Sequence, residues 1–249
     1  MIAPSLLVSV RNVPEAKSAI EGGAGIVDVK EPNRGSLGMA DPSAIREITA
    51  AVAIAGRELS TSAALGDAVE WNGDSQVGNL PAELAYAKLG LAGWARHTAW
   101  RSDWHNLRNS LDASSGRRFN WIAVAYADWQ DACAPPPVAV IEAAGETHCA
   151  GVLFDTFCKD GRTLLDCLRV DELAGYSSAV HSSGMMLALA GSLHRRLLPP
   201  LMQFAPDIIG IRSAACRHGE RDGDVCATAV REFRDAMQRA VDDRQRSLA

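Results

Sequence analysis

Of the 25 cationic side chains in this sequence, only four are lysines, Lys17, Lys30, Lys88 and Lys159, and the rest are arginines. Arginine serves a solvated surface as well as lysine does, but it cannot give up its proton and so cannot become a neutral amine nucleophile. A lysine retained against that background marks a position where amine chemistry is wanted. Lys30 closes the run Ile26-Val27-Asp28-Val29-Lys30, whose alternation puts Asp28 and Lys30 on one face. Lys88 lies inside the apolar run Tyr86–Leu91, where a charge is costly unless paired. Asp155 ends a third apolar run and Lys159 follows four residues later, whereas Lys17 reads as an ordinary helix-surface residue. Ammonium groups facing one small cavity repel, and burial disfavours their charge, so at least one of them should titrate below the ordinary lysine range. A neutral amine adds to an aldehyde or ketone while a charged neighbour moves protons. Asp28 and Asp155 would orient the amines and accept protons during carbinolamine dehydration. The bland alternative is two ion pairs that only stabilise the fold, Lys30–Asp28 and Lys159–Asp155, but buried pairs are poor stabilisers.

The elements that must position these groups alternate along the chain. Apolar, β-branched-rich runs occur at Leu6–Val10, Ile26–Lys30, Leu59–Ala64, Tyr86–Leu91, Phe119–Tyr126, Gly151–Thr156, Met185–Ala190 and Ile208–Ser213. Between and after them, helical composition or spacing covers Pro14–Gly22, Asp41–Ala55 (with Asp41 as N-cap), Leu80–Ala85, Trp100–Ser110, Pro137–Thr147, Val170–Ser183, Ser192–Phe204 and Val225–Asp243. Eight βα units in 249 residues predict an α/β fold, a single (β/α)8 TIM barrel spanning 1–249. A doubly wound open sheet is the rival, and it lacks a Gly-x-Gly-x-x-Gly after the first strand. In a barrel the strand ends and the loops after them form the active face, which is where three of the four lysines fall. Ala190-Gly191-Ser192 after the seventh strand and Arg212-Ser213 after the eighth suit a phosphate site, so Gly191, Ser192, Arg212 and Ser213 are its candidates. Asn33–Gly38 is a possible second anion cradle. Gly66–Gly78, with Asp67, Trp71 and Asp74, is long and polar enough for a lid or a plain surface excursion.

Composition excludes other classes. The chain has 26.5 kDa of mass, a formal charge of −5 and no basic block, which argues against nucleic acid as a partner. No run is long and apolar enough for a membrane span, and Met1-Ile2-Ala3-Pro4 lacks the cationic region of a signal peptide. The six cysteines form no Cys-x-x-Cys pair and read as reduced thiols of a cytoplasmic protein. Neither they nor the six histidines show metal-ligand spacing, so no metal and no cofactor is expected.

Five segments resemble one family in order along nearly the whole chain: 27–38 (Val-Asp-Val-Lys-Glu-Pro-Asn-Arg-Gly-Ser-Leu-Gly), 87–91 (Ala-Lys-Leu-Gly-Leu), 154–164 (Phe-Asp-Thr-Phe-Cys-Lys-Asp-Gly-Arg-Thr-Leu), 189–193 (Leu-Ala-Gly-Ser-Leu) and 209–216 (Ile-Gly-Ile-Arg-Ser-Ala-Ala-Cys). They look like the (5-formylfuran-3-yl)methyl phosphate synthases of methanofuran biosynthesis. The segments around Lys30 and Lys159 are the specific ones. The resemblance implies a TIM-barrel lyase that joins two glyceraldehyde 3-phosphates into a furan aldehyde phosphate, losing one phosphate and water. It also implies Lys30 as the Schiff-base lysine and Lys88 as the proton-transfer residue, with Asp28, Asp155 and Lys159 beside them. The chain departs from the family at Arg217, where the family carries Lys, and across Trp94–Trp104, which matches poorly. A triose phosphate is the expected partner, and a homo-oligomer the expected assembly. Two other functions compete: a class I aldolase-type phosphosugar lyase on the same constellation, and a non-catalytic phosphosugar-binding barrel.

Overall fold

A computed structural model describes residues 3–56, 58–71, 80–81 and 83–248 of the chain. Eight parallel strands pair in chain order: β1 (Ser5–Val10), β2 (Ile26–Val29), β3 (Ser60–Asp67), β4 (Leu84–Gly90), β5 (Asn120–Tyr126), β6 (Gly151–Asp155), β7 (Met186–Leu189) and β8 (Ile208–Ile211). Strand β8 returns to β1, with Ser5 opposite Ile208 and Val8 opposite Ile211, and the TIM barrel closes. Outside it lie α1 (Val13–Gly22), α2 (Pro42–Ala55), α3 (Trp100–Ser114), α4 (Pro137–Glu146), α5 (Leu164–Cys167), α6 (Val170–Ser182), α7 (Leu198–Met202) and α8 (Ala227–Leu248).

The strands are largely apolar because each is covered on both faces. Val8, Val27, Val29, Leu89, Phe154 and Ile209 face outward into the core shared with the helices. Ile26, Ile122, Val124, Leu153, Ala188 and Ile208 fill the barrel interior. Register then builds the mouth: Ser9 stands opposite Asp28, Ala64 opposite Lys88, and Tyr126 opposite Asp155. Ile26 belongs to the interior cluster, and the period of two carries that inward face on to Asp28 and Lys30.

Three local expectations need correction. The helix expected at Leu80–Ala85 is absent among the described residues; Leu84 and Ala85 open β4, with Leu84 fully buried against the outer core. Ser192–Phe204 is a 3-10 turn at Arg195–Leu197 followed by the short α7, because Pro199 and Pro200 have no N–H to extend a helix upstream. Asp41 occupies the N-cap of α2, but its carboxylate accepts from Arg34 Nη1 at 2.9 Å instead of from the helix. In the Gly66–Gly78 stretch, Asp67 ends β3, residues 68–70 form a 3-10 turn, and Trp71 Nε1 donates to the Leu65 carbonyl at 2.8 Å. Asp74 and the remainder to Gly78 lie outside the described residues.

One tight contact fixes the β3–β5 side of the mouth. The Tyr126 hydroxyl and the Ala92 N–H both donate to Asp67 Oδ1, each at 2.9 Å. Burial pushes the Asp67 carboxyl up, against the pull of those two donors, and pushes the Tyr126 phenol well up. Gly90 makes room for the pair, since a Cβ there would stand 2.1 Å from Asp67 Oδ1 and 2.6 Å from the Tyr126 hydroxyl. Gly90→Ala should therefore destabilise the protein by about 1–3 kcal/mol, the range for overpacking, and lower its melting temperature by roughly 3–10 °C. Calorimetry checks this, and an unchanged melting temperature would mean that the pair moves aside freely.

Candidate active site

A cavity of about 350 Å³ opens at the C-terminal ends of the strands. Asp28, Lys30, Lys88, Asp155, Lys159, Gly191, Ser192, Arg212 and Ser213 all line it. Five basic side chains (the three lysines, Arg212 and Arg221) face two carboxylates there, so the cavity suits an anionic ligand.

Lys30 follows β2 and stays in register, its N–H donating to the Val10 carbonyl at 3.0 Å. Its side chain is 6% exposed and forms no hydrogen bond or ion pair among the described residues. Burial pulls its amine down to about 7; the charges of Lys159 and Arg221 push the same way, and the attraction of Asp155 and Asp28 only partly opposes them.

The carboxylate beside Lys30 in sequence is taken by another lysine. Lys88 Nζ donates to Asp28 Oδ1, and Ser9 Oγ donates to Asp28 Oδ2 at 3.0 Å. Neither side chain of this pair is more than 3% exposed. The Lys30–Asp28 ion pair considered from sequence is not formed, because Asp28 is directed across the barrel to β4.

The second pair does form as its spacing suggests. Lys159 Nζ donates to Asp155 Oδ1 at 2.9 Å, to the Thr156 carbonyl at 2.5 Å and to Thr156 Oγ1 at 3.1 Å. Burial alone would raise the Asp155 carboxyl, but Lys159, Lys30 and the Thr156 N–H outweigh it and hold the group below the usual carboxylate range. The loop carrying Lys159 is anchored by Asp128, whose two oxygens accept from the N–H groups of Phe157 at 2.6 Å and Cys158 at 2.8 Å. Asp128, Asp131 and Cys158 bring ligand-type atoms within 4.8 Å of one another, but those two N–H donors already engage both Asp128 oxygens.

The loops after β7 and β8 reach the cavity by different means. Gly191 adopts φ +97°, and a Cβ on it would press within 3.1 Å of the Thr156 backbone nitrogen, so this turn requires glycine. Ser213 begins a 3-10 turn. Arg212 lines the cavity too, but protein acceptors engage all five of its N–H groups. Nε donates to the Arg221 carbonyl, Nη1 to the Ser9 carbonyl and Glu15 Oε2, and Nη2 to Glu15 Oε1 and the Gly223 carbonyl, at 2.6–3.2 Å.

Sequence reasoning overlooked Ser9, Glu15, Thr156 and Arg221. Glu15 looks like a first-turn acid beside the N-cap Asn12, a role it also fills by accepting from the Arg11 N–H at 2.9 Å. Arg221 had a usable signal, an arginine in the glycine-flanked segment Gly219–Gly223 after the last strand.

Comparison with known proteins identifies related chains. The family model described as 4-HFC-P synthase matches residues 6–234. A (5-formylfuran-3-yl)methyl phosphate synthase of Methanopyrus kandleri is 35% identical over 242 residues, covering 94% of this chain and 99% of its own. Its counterpart from Methanocaldococcus jannaschii is 36% identical over 239 residues, covering 92% and 98%. Among solved structures, 3-hexulose-6-phosphate synthase from Salmonella typhimurium aligns with a TM-score of 0.58 at 12% identity over 95% of this chain and 99% of that one. Thiamine phosphate pyrophosphorylase from Pyrococcus furiosus aligns with a TM-score of 0.59 at 13% identity, over 96% and 97%. At those identities the likeness shows the barrel fold alone.

The geometry predicts a pH profile. Lys30 is a nucleophile only when neutral, so imine formation with glyceraldehyde, trapped by cyanoborohydride, should rise as pH passes about 7 and level off above it. A midpoint near the unperturbed lysine value of about 10.4 would contradict the desolvated amine.

Proposed function

The chain belongs to the 4-HFC-P synthase family, and from that membership we propose how its residues act: Lys30 forms a Schiff base with glyceraldehyde 3-phosphate, and the cavity joins two such molecules into (5-formylfuran-3-yl)methyl phosphate. One phosphate and two waters leave, so the carbons of both trioses are retained in the product. The observation that carries this reading is the buried Lys30 amine, which lines the cavity beside two lysine–carboxylate pairs and has no carboxylate of its own, so that burial pulls it down to about 7. Lys30 Nζ adds to the aldehyde carbon, and the carbinolamine loses water to give the imine. The imine then withdraws electrons from the adjacent carbon. Removal of that carbon's proton sends an electron pair toward the C–O bond of the phosphate, which departs with its bonding electrons. The resulting three-carbon unit joins the second triose, and ring closure with further dehydration yields the furan.

These steps need acids and bases on two sides of Lys30, and each positioned proton-transfer group is worth roughly 10²–10⁴-fold. In this scheme Lys88, held by Asp28, passes protons from the β4 side, while Lys159, held by Asp155, serves the β6 side. Gly191, Ser192 and Ser213 contribute to a phosphate site between the last two loops. No helix among the described residues is long and apolar enough to cross a membrane. Cytoplasmic residence, alongside the triose phosphate pool, is part of the proposal. So is self-association, which would cover apolar side chains such as Ile54, 87% exposed, and Val138, 51% exposed.

Lys30→Met should abolish turnover with little change in melting temperature, since methionine keeps most of the bulk, has no amine and buries no unpaired charge. Residual turnover above a few per cent would remove the Schiff base from Lys30. Lys88→Ala should still be labelled at Lys30 when trapped with borohydride, yet make no furan product, which is followed by its near-ultraviolet absorbance. A product without that absorbance in the parent enzyme would favour an aldolase-type lyase.

A further inference from the structure

Arg221 is the arginine of the cavity whose guanidinium is mostly uncommitted. Among the described residues its side chain makes a single long hydrogen bond, Nη2 to the Gly35 carbonyl at 3.3 Å, whereas Arg212 is saturated. The side chain is half-buried, and burial lowers its pKa in spite of the nearby Asp155 carboxylate. A partly desolvated guanidinium with open donors, facing a cavity, is suited to bidentate contact with phosphate. Its charge acts on Lys30 and on Asp155, so a ligand held by it lies beside the reactive amine.

The backbone around Arg221 is held with unusual thoroughness for a surface loop. Arg212 donates to the carbonyls of Arg221 and Gly223, and Arg11 donates to the carbonyls of Asp222 and Gly223 and to Asp224 Oδ1. Both arginines converge on Glu15, which is 3% exposed and sits 2.6 Å from each. The two guanidinium groups and the helix-borne carboxylate thus fasten residues 221–224 as a strap across the mouth, from the end of β8 toward the turn at Gly35.

We propose that Arg221 grips the phosphate of the triose whose aldehyde is bound at Lys30, and that Glu15, Arg11 and Arg212 are positioning residues for it. This assignment rests on the Schiff-base reading above and adds to it which cation recognises the substrate. It also replaces Arg212 as the phosphate-binding arginine, since Arg212 has no donor left to offer.

The test separates grip from chemistry. Inorganic phosphate binding to the full-length protein is measured by calorimetry for the parent, Arg221→Ala, Arg221→Lys and Arg11→Ala. Arg221→Ala should weaken phosphate binding about 10- to 100-fold, the size expected for lost charge-assisted hydrogen bonds. It should raise the Michaelis constant for glyceraldehyde 3-phosphate by a similar factor, with a smaller fall in turnover. Trapping of unphosphorylated glyceraldehyde at Lys30 should persist, its pH midpoint shifted upward because a positive neighbour has been removed. Arg221→Lys should restore part of the phosphate affinity. Arg11→Ala should reproduce part of the loss while leaving Arg212 paired with Glu15, which avoids the folding risk of stranding a buried charge in Glu15→Gln. Unchanged phosphate affinity and Michaelis constant in Arg221→Ala would overturn the assignment. Loss of phosphate binding in a protein that makes no furan product would instead retain Arg221 and reject the synthase reading.

Discussion

Burying an amine at the end of β2 without giving it a carboxylate of its own is the constraint around which the mouth of this barrel is organised. Lys30 is surrounded by charge, yet each neighbouring carboxylate is committed elsewhere: Asp28 to Lys88 and Ser9, Asp155 to Lys159. Desolvation therefore wins and pulls the amine down to about 7, where a large fraction is neutral, as the proposed Schiff-base role requires. Had Asp28 turned toward Lys30, the attraction would have restored the charge and removed the reactivity. The register that places Asp28 beside Ser9 helps prevent this, because the serine hydroxyl holds one carboxylate oxygen while Lys88 reaches the other from β4.

Much of this was legible from residue types. An arginine-rich chain that keeps lysine at strand ends singles out three side chains that line the cavity, and period-two alternation in Ile26–Lys30 indicates which face they serve. Eight apolar runs were enough to reach the barrel. The misreadings have physical causes. Leu80–Ala85 is apolar and short, and nothing in so brief a window separates the start of a buried strand from a helix turn. Arg212 looked like a phosphate ligand because its loop is right and its chemistry is right. Its five donors are engaged by acceptors that include Glu15, 197 positions away, and no local pattern encodes that distance. Arg221, nine residues beyond Arg212, keeps most of its donors free, while Arg212 holds its backbone in place.

The barrel also divides its labour by direction. Outward residues such as Val29, Phe154 and Ile209 supply a dry shell against the helices, while the inward face changes from Ile26, Leu153 and Ile208 to the polar residues at the mouth. The apolar plug below keeps water away from the buried pairs, and that low-polarity surrounding is what gives their charges their leverage. On the β3–β5 side, where no lysine is required other than Lys88, the same depth is filled by the Tyr126–Asp67 contact and the bare backbone of Gly90.

The fastening of residues 221–224 to Glu15 on α1 has a consequence for the order of assembly. Its partners come from the first helix and from the loop after the last strand, so the contact can form only after β8 has found β1. Such distant pairings are late events, because the entropy of closing a long loop must be overcome before they stabilise anything. A chain still emerging during synthesis, or one whose barrel has opened between β8 and β1, retains the lysine on β2 but not the ordered strap above it. On the proposed reading, the grip on a phosphorylated substrate is thus tied to completion of the ring, because the strap that carries Arg221 is fastened only once β8 and β1 are joined.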